Sequence, residues 1–352
     1  MRRLAGTRGP PTCHHRVNSM APPPTRPLEL AVRELAPCLG AEVSGVILQG
    51  AGTLSPPTPA LLQDALDQHG VLVFRGLRCT DAEHVRFARA FGPVEPPLRG
   101  DPAASPDGEP VFVMSNVDGE TGELFPPADV RVRYADGNAL WHSDGSFRPD
   151  PLRASLLSAK AVAPAGQGGT EFASLTAAYA ALSSSRQAQL EGLEAEYSLS
   201  NSRRQLKKAA ASMPAGEYEK QSETKEIGFS SVPAVRHPIV RMHPRTGAKA
   251  LHVGSYCERI VGMDEAEGKA LLAELLEWST QPRFCYKHSW TVGDMLVYDN
   301  ISTLHRARPW QADRYKRTLH RVTIAGGGGD SGGGGKEDDK LPQEAAAGRP
   351  RL

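Results

Sequence analysis

The chain has 352 residues, of which 39% are hydrophobic and 23% charged, with a formal net charge of +1. That length suits one large domain or two, and the near-neutral balance gives no electrostatic reason to expect nucleic acid or an anionic membrane as a partner. No apolar run approaches the roughly 18 residues of a transmembrane helix, which argues against a membrane span.

Residues 1–28 hold five arginines and several prolines, and Glu29 is the first carboxylate. An Arg-rich, acid-free start is the composition of an organelle transit peptide, although proline this dense opposes an amphipathic helix. Met20 stands beside Met1 as an alternative start. The run Val71-Leu-Val-Phe-Arg75, closed by Gly76, predicts a buried strand. Thr80 precedes Glu83 by three residues, a capping-box start, and apolar periodicity predicts a helix ending near Gly92-Pro93. Short extended runs occupy 154–163, 237–242, 249–254, 284–288, 294–299 and 317–324, separated by Gly, Pro and Asp. The segment 200–235, rich in Lys, Ser and Gly, reads as a lid or as a simple insertion. Asp264 and Glu267 repeat the capping pattern ahead of Leu271, Leu272, Leu275 and Leu276, predicting a second helix.

Many short strands at this spacing predict a mainly β (α+β) fold, a barrel or jelly roll core with flanking helices. After Ile324 glycine and charge replace apolar residues, and such a tail cannot bury enough surface to fold. The expected organisation is a disordered or targeting extension over 1–28, one domain over 29–326 and a disordered Gly-rich tail over 327–352. The terminal Pro-Arg-Leu loosely resembles a peroxisomal tripeptide. Cys13, Cys38, Cys79, Cys257 and Cys285 are widely spaced and form no CxxC pair, which fits reduced thiols in an intracellular, cytoplasmic protein.

The most informative segment is Asn138-Ala-Leu-Trp-His-Ser-Asp144. On an extended strand, residues two apart share a face, so His142 and Asp144 can converge on one point as a mixed N/O pair for a divalent metal. Alone, such a pair is weak; residues near the C-terminal end of the domain give it weight. Trp290-Thr-Val-Gly-Asp294 reads as a strand and a Gly-Asp turn leading into another strand, closed by Asp299-Asn300, with His305 beginning the next segment. Arg317 and Arg321 then lie four apart on an alternating stretch, facing one side, with Thr318 and His320 facing the other. Two histidines and one carboxylate occupy one face of an octahedron and leave open positions, and inward guanidinium groups suit an anionic cosubstrate.

These elements together resemble the taurine/2,4-dichlorophenoxyacetate dioxygenase family, and its herbicide-degrading branch more than its taurine branch. The matching stretches run in family order. They are Leu39-Gly-Ala-Glu-Val-Ser-Gly45, Val71 to Gly76, Phe87-Ala-Arg-Ala-Phe-Gly92, Leu140-Trp-His-Ser-Asp144, Gly168-Gly-Thr-Glu-Phe172, Leu271 to Leu276, Trp290 to Asp294, Asp299-Asn300, His305 and Arg317-Thr-Leu-His-Arg321. The resemblance implies a double-stranded β-helix and an iron(II)-dependent cycle that uses O2 and oxidises 2-oxoglutarate to succinate and carbon dioxide. It also implies that His142, Asp144 and His305 hold iron, while Thr170 and Arg317 hold the distal carboxylate of 2-oxoglutarate. Arg321 would meet either 2-oxoglutarate or the acid group of the substrate, and Asn138 would lie near the substrate on the face of His142. The spacing from His305 to Arg317 places a one-residue insertion near Trp310, with Arg314 as the competing choice for Arg317.

The implied substrate is a small organic anion, an aryloxyalkanoate or similar carboxylate, with an alkyl sulfonate or sulfate ester as the alternative, because arginine binds either anion. A metal or 2-oxoglutarate sensor without turnover is the reading from another class, and a zinc hydrolase would leave Thr170 and both arginines without a purpose. Self-association as a homo-oligomer is left open. Trp141 and Phe147 are expected to pack the barrel, and His243 and His252 to be structural because neither has a partner at ligand spacing.

Overall fold

The computed structural model describes residues 30–48, 58–97, 105, 109–126, 129, 137–211 and 232–326. The extension 1–28, the tail 327–352 and the part of the lid reading that falls on 212–231 lie outside the described residues. The described chain is mostly sheet with few helices, and none of those helices is long and apolar enough to cross a membrane.

The largest sheet is ordered Ala31–Glu34, Ala41–Ser44, Val71–Phe74, Met295–Asp299, Ala154–Ala161, Thr318–Ile324 and Val94–Glu95, with Phe112–Ser115 also pairing to Thr318–Ile324. Its pairs are antiparallel apart from Ala41–Ser44 beside Val71–Phe74. Val71–Phe74 is buried at every position because both its faces are covered. Leu72 and Phe74 pack beneath the helices Thr58–His69 and Asp81–Ala88, against Leu62, Leu66, Val85 and Phe87. Val71 and Val73 point the other way, with Leu157, Leu296 and Tyr298, onto Phe172 and Tyr286. Those last two belong to a second sheet, ordered Cys285–His288, Thr170–Ser174 and Thr303–Ala307. The interior between the two sheets is therefore apolar for most of its length. A third cluster, including Ala173, Leu175, Leu251, Leu275 and Leu304, covers the outer side of the smaller sheet.

The capping box at Thr80 forms as the sequence predicts. The Thr80 hydroxyl accepts the Glu83 amide at 3.2 Å and the Glu83 carboxylate accepts the Thr80 amide at 2.9 Å. Thr80→Ala is expected to cost about 1 kcal/mol, the usual value for a lost N-cap, read as a lower Tm by calorimetry. An unchanged Tm would show that the sheet, not the cap, holds this helix. The helix stops at Ala88, short of the expected Gly92-Pro93. The amides of Ala90 and Phe91 turn to the carbonyls of Phe87 and Ala88, a tighter turn that still delivers the Phe91 ring to Phe87 at 5.7 Å.

The helix Glu265–Ser279 also starts where expected, with the Asp264 carboxylate accepting the amides of Ala266 and Glu267. The run 237–242 is split into Val235–Pro238 and Val240–Met242 about the buried Ile239, and 249–254 is shortened to Lys249–Leu251. The helix Thr58–His69 was not anticipated, although Leu62, Ala65 and Leu66 carry the helical spacing that buries it.

Candidate active site

His142 and His305 are joined through their backbones. Each donates its amide to the other's carbonyl, at 3.0 and 2.8 Å, in an isolated antiparallel bridge. His305 lies on the strand Thr303–Ala307 opposite Phe172. The expected strand over 138–144 is not formed. Gly137–Ala139 is a 3-10 turn, so Asn138 does not share a strand face with His142, and its amide instead approaches the Met114 sulfur at 3.9 Å. Extension is confined to the bridge, which is enough to align His142 with Asp144. The ligand atoms of His142, Asp144 and His305 all lie within 4.8 Å of one another, and all three residues are buried. Each imidazole Nε2 is 3.8 Å from a different oxygen of Asp144.

The protonation of this trio suits a cation. Nδ1 of His142 stands 2.7 Å from the Leu140 carbonyl, which can only accept. Nδ1 therefore carries the hydrogen, and the lone pair on Nε2 is directed at the site. Among the described residues His305 has no such partner on Nδ1; its ring is fixed by packing against Phe172 and Tyr298. Burial pushes both imidazoles below their usual range, so both are neutral near pH 7. Burial alone would raise the Asp144 carboxyl, but the Arg321 guanidinium and the Ser155 hydroxyl hold it below the usual carboxylate range. A divalent ion would meet a carboxylate and two neutral imidazoles with no proton to displace.

Both oxygens of the Asp144 carboxylate accept hydrogen bonds. Oδ2 accepts from the Tyr298 hydroxyl at 2.9 Å and the Ser155 hydroxyl at 2.8 Å, and Oδ1 accepts from Arg321 Nη1 at 2.7 Å. The Arg321 guanidinium also lies over the Phe112 ring, 4.6 Å from its centroid. Beside His142 stands Tyr256, edge-on with centroids 6.0 Å apart, and Phe147 packs on Tyr256 at 5.0 Å. Phe147 reaches His142 only through Tyr256, and Trp141 is core as expected and stacks under Arg306 at 4.5 Å. The turn carrying Tyr256 depends on Gly254, whose φ is +128°. A Cβ there would come within 3.0 Å of the Trp141 carbonyl and 3.5 Å of the His142 Cα.

The alternation expected of 317–321 is present. Arg317 and Arg321 turn inward, while Thr318 meets Ser115 and His320 meets Asp81 on the opposite face. Arg317 is 8% exposed, donates Nε to the Gly168 carbonyl at 3.1 Å and lies 4.9 Å from the Trp310 ring centroid. No acidic side chain among the described residues pairs with it, and burial pulls its pKa down to about 10. Arg314, the competing choice, is exposed and bonds Gln311. Thr170 is buried, and its hydroxyl accepts from Trp290 Nε1 at 3.0 Å.

Sequence reasoning missed Asn116. Its side chain accepts the Arg317 amide at 2.8 Å and donates to the carbonyls of Ala312 and Tyr315 at 2.8 and 2.9 Å, fixing the loop that leads into Arg317. Tyr298, Ser155, Tyr256 and Asn116 carry no local motif; the sheet register brings in Tyr298 and Ser155, and a turn and a loop bring in Tyr256 and Asn116.

His252 is structural as expected, stacked on Tyr197 at 4.3 Å. His243 is structural too, but it does have partners at ligand spacing, its Nε2 lying 3.2 Å from Asp299 and 3.9 Å from Asp67. These three form a second group with metal-compatible spacing. Arg153 already bridges the two carboxylates and Arg245 bonds Asp67 at 2.5 Å, so this group is a compensated ion-pair network.

A model of the family described as "Taurine catabolism dioxygenase TauD, TfdA family" matches residues 31–323. The chain belongs to this family. As a member of it the chain is an oxidoreductase of the dioxygenase kind. The dioxygenase is 37% identical over 297 residues to the alpha-ketoglutarate-dependent 2,4-dichlorophenoxyacetate dioxygenase of Burkholderia sp. (strain RASC), covering 83% of this chain and 93% of that one. It is 32% identical over 303 residues to an alpha-ketoglutarate-dependent sulfate ester dioxygenase of Pseudomonas putida, covering 85% and 90% of the two chains. Among solved structures it resembles AAD-2 in complex with Mn(II) and N-oxalylglycine. The TM-score is 0.70 at 34% identity, with 85% of this dioxygenase and 97% of that chain covered.

Proposed function

We propose that the protein is an iron(II)- and 2-oxoglutarate-dependent dioxygenase that hydroxylates a small organic acid, an aryloxyalkanoate or similar carboxylate, on a double-stranded β-helix (jelly roll) domain spanning 29–326. His142, Asp144 and His305 hold the iron. The observation that carries this reading is the convergence of two neutral imidazoles and one carboxylate within 4.8 Å, with the His142 tautomer fixed by Leu140. Two nitrogens and one oxygen form a donor set suited to iron(II) that leaves positions for small ligands. When bound, iron(II) with dioxygen and 2-oxoglutarate supplies the oxidation of a C–H bond, and 2-oxoglutarate leaves as succinate and carbon dioxide.

The protein's own groups bind and orient. Arg317 is a buried cation without an acidic partner among the described residues, a costly state that the distal carboxylate of 2-oxoglutarate relieves. Thr170 supplies a hydroxyl to the same carboxylate. Arg321, already in the metal site through Asp144, is the guanidinium that would meet an anionic group of cosubstrate or substrate. Asn138 faces the substrate from its 3-10 turn. The free thiols Cys38, Cys79, Cys257 and Cys285 fit a reducing, cytoplasmic setting.

A second substrate reading has its own support. The kinship to a sulfate ester dioxygenase means that Arg321 could take a sulfate or sulfonate in place of a carboxylate. The test is succinate release by the anaerobically iron-loaded protein after addition of oxygen and 2-oxoglutarate, with aryloxyacetates, 2-aryloxypropionates, fatty acids and alkyl sulfonates in turn. Stimulation by one acid class names the substrate. No succinate from an iron-loaded protein would replace the enzyme reading with a sensor.

A further inference from the structure

A carboxylate that binds a metal must be held in one rotamer before the ion arrives, because outer partners set the geometry of the ligand. Around Asp144 a closed ring of hydrogen bonds does this. The Asp144 amide donates to Asn300 Oδ1 at 3.2 Å, Asn300 Nδ2 donates to the Ser155 hydroxyl at 2.9 Å, and that hydroxyl donates to Asp144 Oδ2 at 2.8 Å. The Asn300 carbonyl also accepts from the Ser143 hydroxyl, so one residue holds both the Ser143 side chain and the Asp144 amide. Asn300 is 1% exposed.

Turn formation does not account for this side chain. Asp299 builds the turn, since its Oδ1 accepts the amides of Ile301 and Ser302 at 2.8 and 2.7 Å and its carbonyl accepts the Thr303 hydroxyl at 2.5 Å. The Asn300 amide is left to serve Asp144 and Ser155. The turn itself is anchored from below. Asp299 Oδ2 is held by Arg153 and His243, Arg153 also bonds Asp67, and Arg241 donates to the carbonyls of Asn300 and Ile301 at 2.5 and 3.0 Å. The ion-pair network of Asp67, Arg153, His243 and Asp299 therefore serves as the footing of this turn.

We propose that Asn300 is a positioning residue, presetting the Asp144 carboxylate for the metal through Ser155, with the Asp67–Arg153–Asp299 network fixing where Asn300 stands. The proposal rests on the reading of Asp144 as a metal ligand. Asparagine is suited to the role because it offers one acceptor and one donor from a single planar group. An aspartate at this position would accept from both neighbours. The Ser155 hydroxyl would then turn toward position 300 and leave Asp144 Oδ2 with Tyr298 alone.

The test is Mn(II) affinity, measured by the loss of the free-ion electron paramagnetic resonance signal, for the full chain and for Asn300→Asp, Ser155→Ala and the double variant. Asn300→Asp is expected to weaken Mn(II) about 10–100-fold, the usual cost of an outer-shell change at a metal site, and Ser155→Ala by a similar factor. In the Ser155→Ala background the further loss from Asn300→Asp should shrink well below its single-variant value, because the relay is already cut. Wild-type affinity in folded Asn300→Asp, or fully additive losses, would overturn the proposal. If Asn300→Asp does not fold, Ser155→Ala carries the test alone, and wild-type affinity in that variant overturns it. His142→Ala in the same titration keeps the two readings apart. A wild-type chain that binds Mn(II) no better than His142→Ala would remove the metal reading, and this inference with it.

Discussion

His142→Ala is expected to abolish iron binding and turnover while the chain stays folded. The imidazole supplies one of three ligand atoms, so its loss should exceed the roughly 10–100-fold penalty of outer-shell changes. The fold should survive because the bridge to His305 uses backbone groups, which alanine retains, and because the apolar core between the sheets lies elsewhere. Circular dichroism and metal titration on the same sample separate the two effects. Retained succinate formation in His142→Ala would sink the assignment of the metal centre.

Arg317→Met should raise the KM for 2-oxoglutarate about 10–100-fold, the equivalent of roughly 1.5–3 kcal/mol for hydrogen bonds to a charged group. It should not destabilise the protein in proportion. Arg317 pairs with no acid among the described residues, so methionine removes a desolvation cost that the Gly168 carbonyl and the Trp310 ring offset only in part. The expected signature is a higher KM with an unchanged or raised Tm. Arg317→Lys should recover only part of the affinity, since a point charge lacks the fork that matches a carboxylate. Arg314→Met, changed at an exposed position, should leave the KM within about twofold, as surface substitutions usually do. A normal KM in Arg317→Met would transfer the cosubstrate role elsewhere, with Arg321 the next residue to test.

Much of the site was legible because its chemistry sits in short, regular spacings. His142 and Asp144 two apart, and Arg317 and Arg321 four apart, need only local extension to share a side, and the structure provides it in both places. The core strand Val71–Phe74 and the capped helices after Thr80 and Asp264 were legible for the same reason, since each is decided within a few residues. What the sequence hid depends on register. Tyr298 and Ser155 are cross-strand partners in adjacent strands, and only that pairing sets both hydroxyls on Asp144. Asn116 lies 201 residues from Arg317 and meets it through the loop before the last strand. The face that Asn138 was expected to share with His142 is lost because a 3-10 turn precedes a single bridge where a strand across 138–144 was expected. The partners of His243 were missed because Asp67 comes from a helix that was not anticipated.

The order of the large sheet has a consequence for synthesis. Met295–Asp299 lies between Val71–Phe74 and Ala154–Ala161, two strands made long before it. Until that late strand leaves the ribosome, both earlier strands keep an open, apolar edge with unmatched amides and carbonyls, a template for the wrong partner. Such non-local pairing also slows folding, because chain-closure entropy is lost before the contacts that reward it can form. Nascent chains halted just before residue 295 should therefore be protease-sensitive and chaperone-bound, and those extended past the last strand should become resistant together with the metal site.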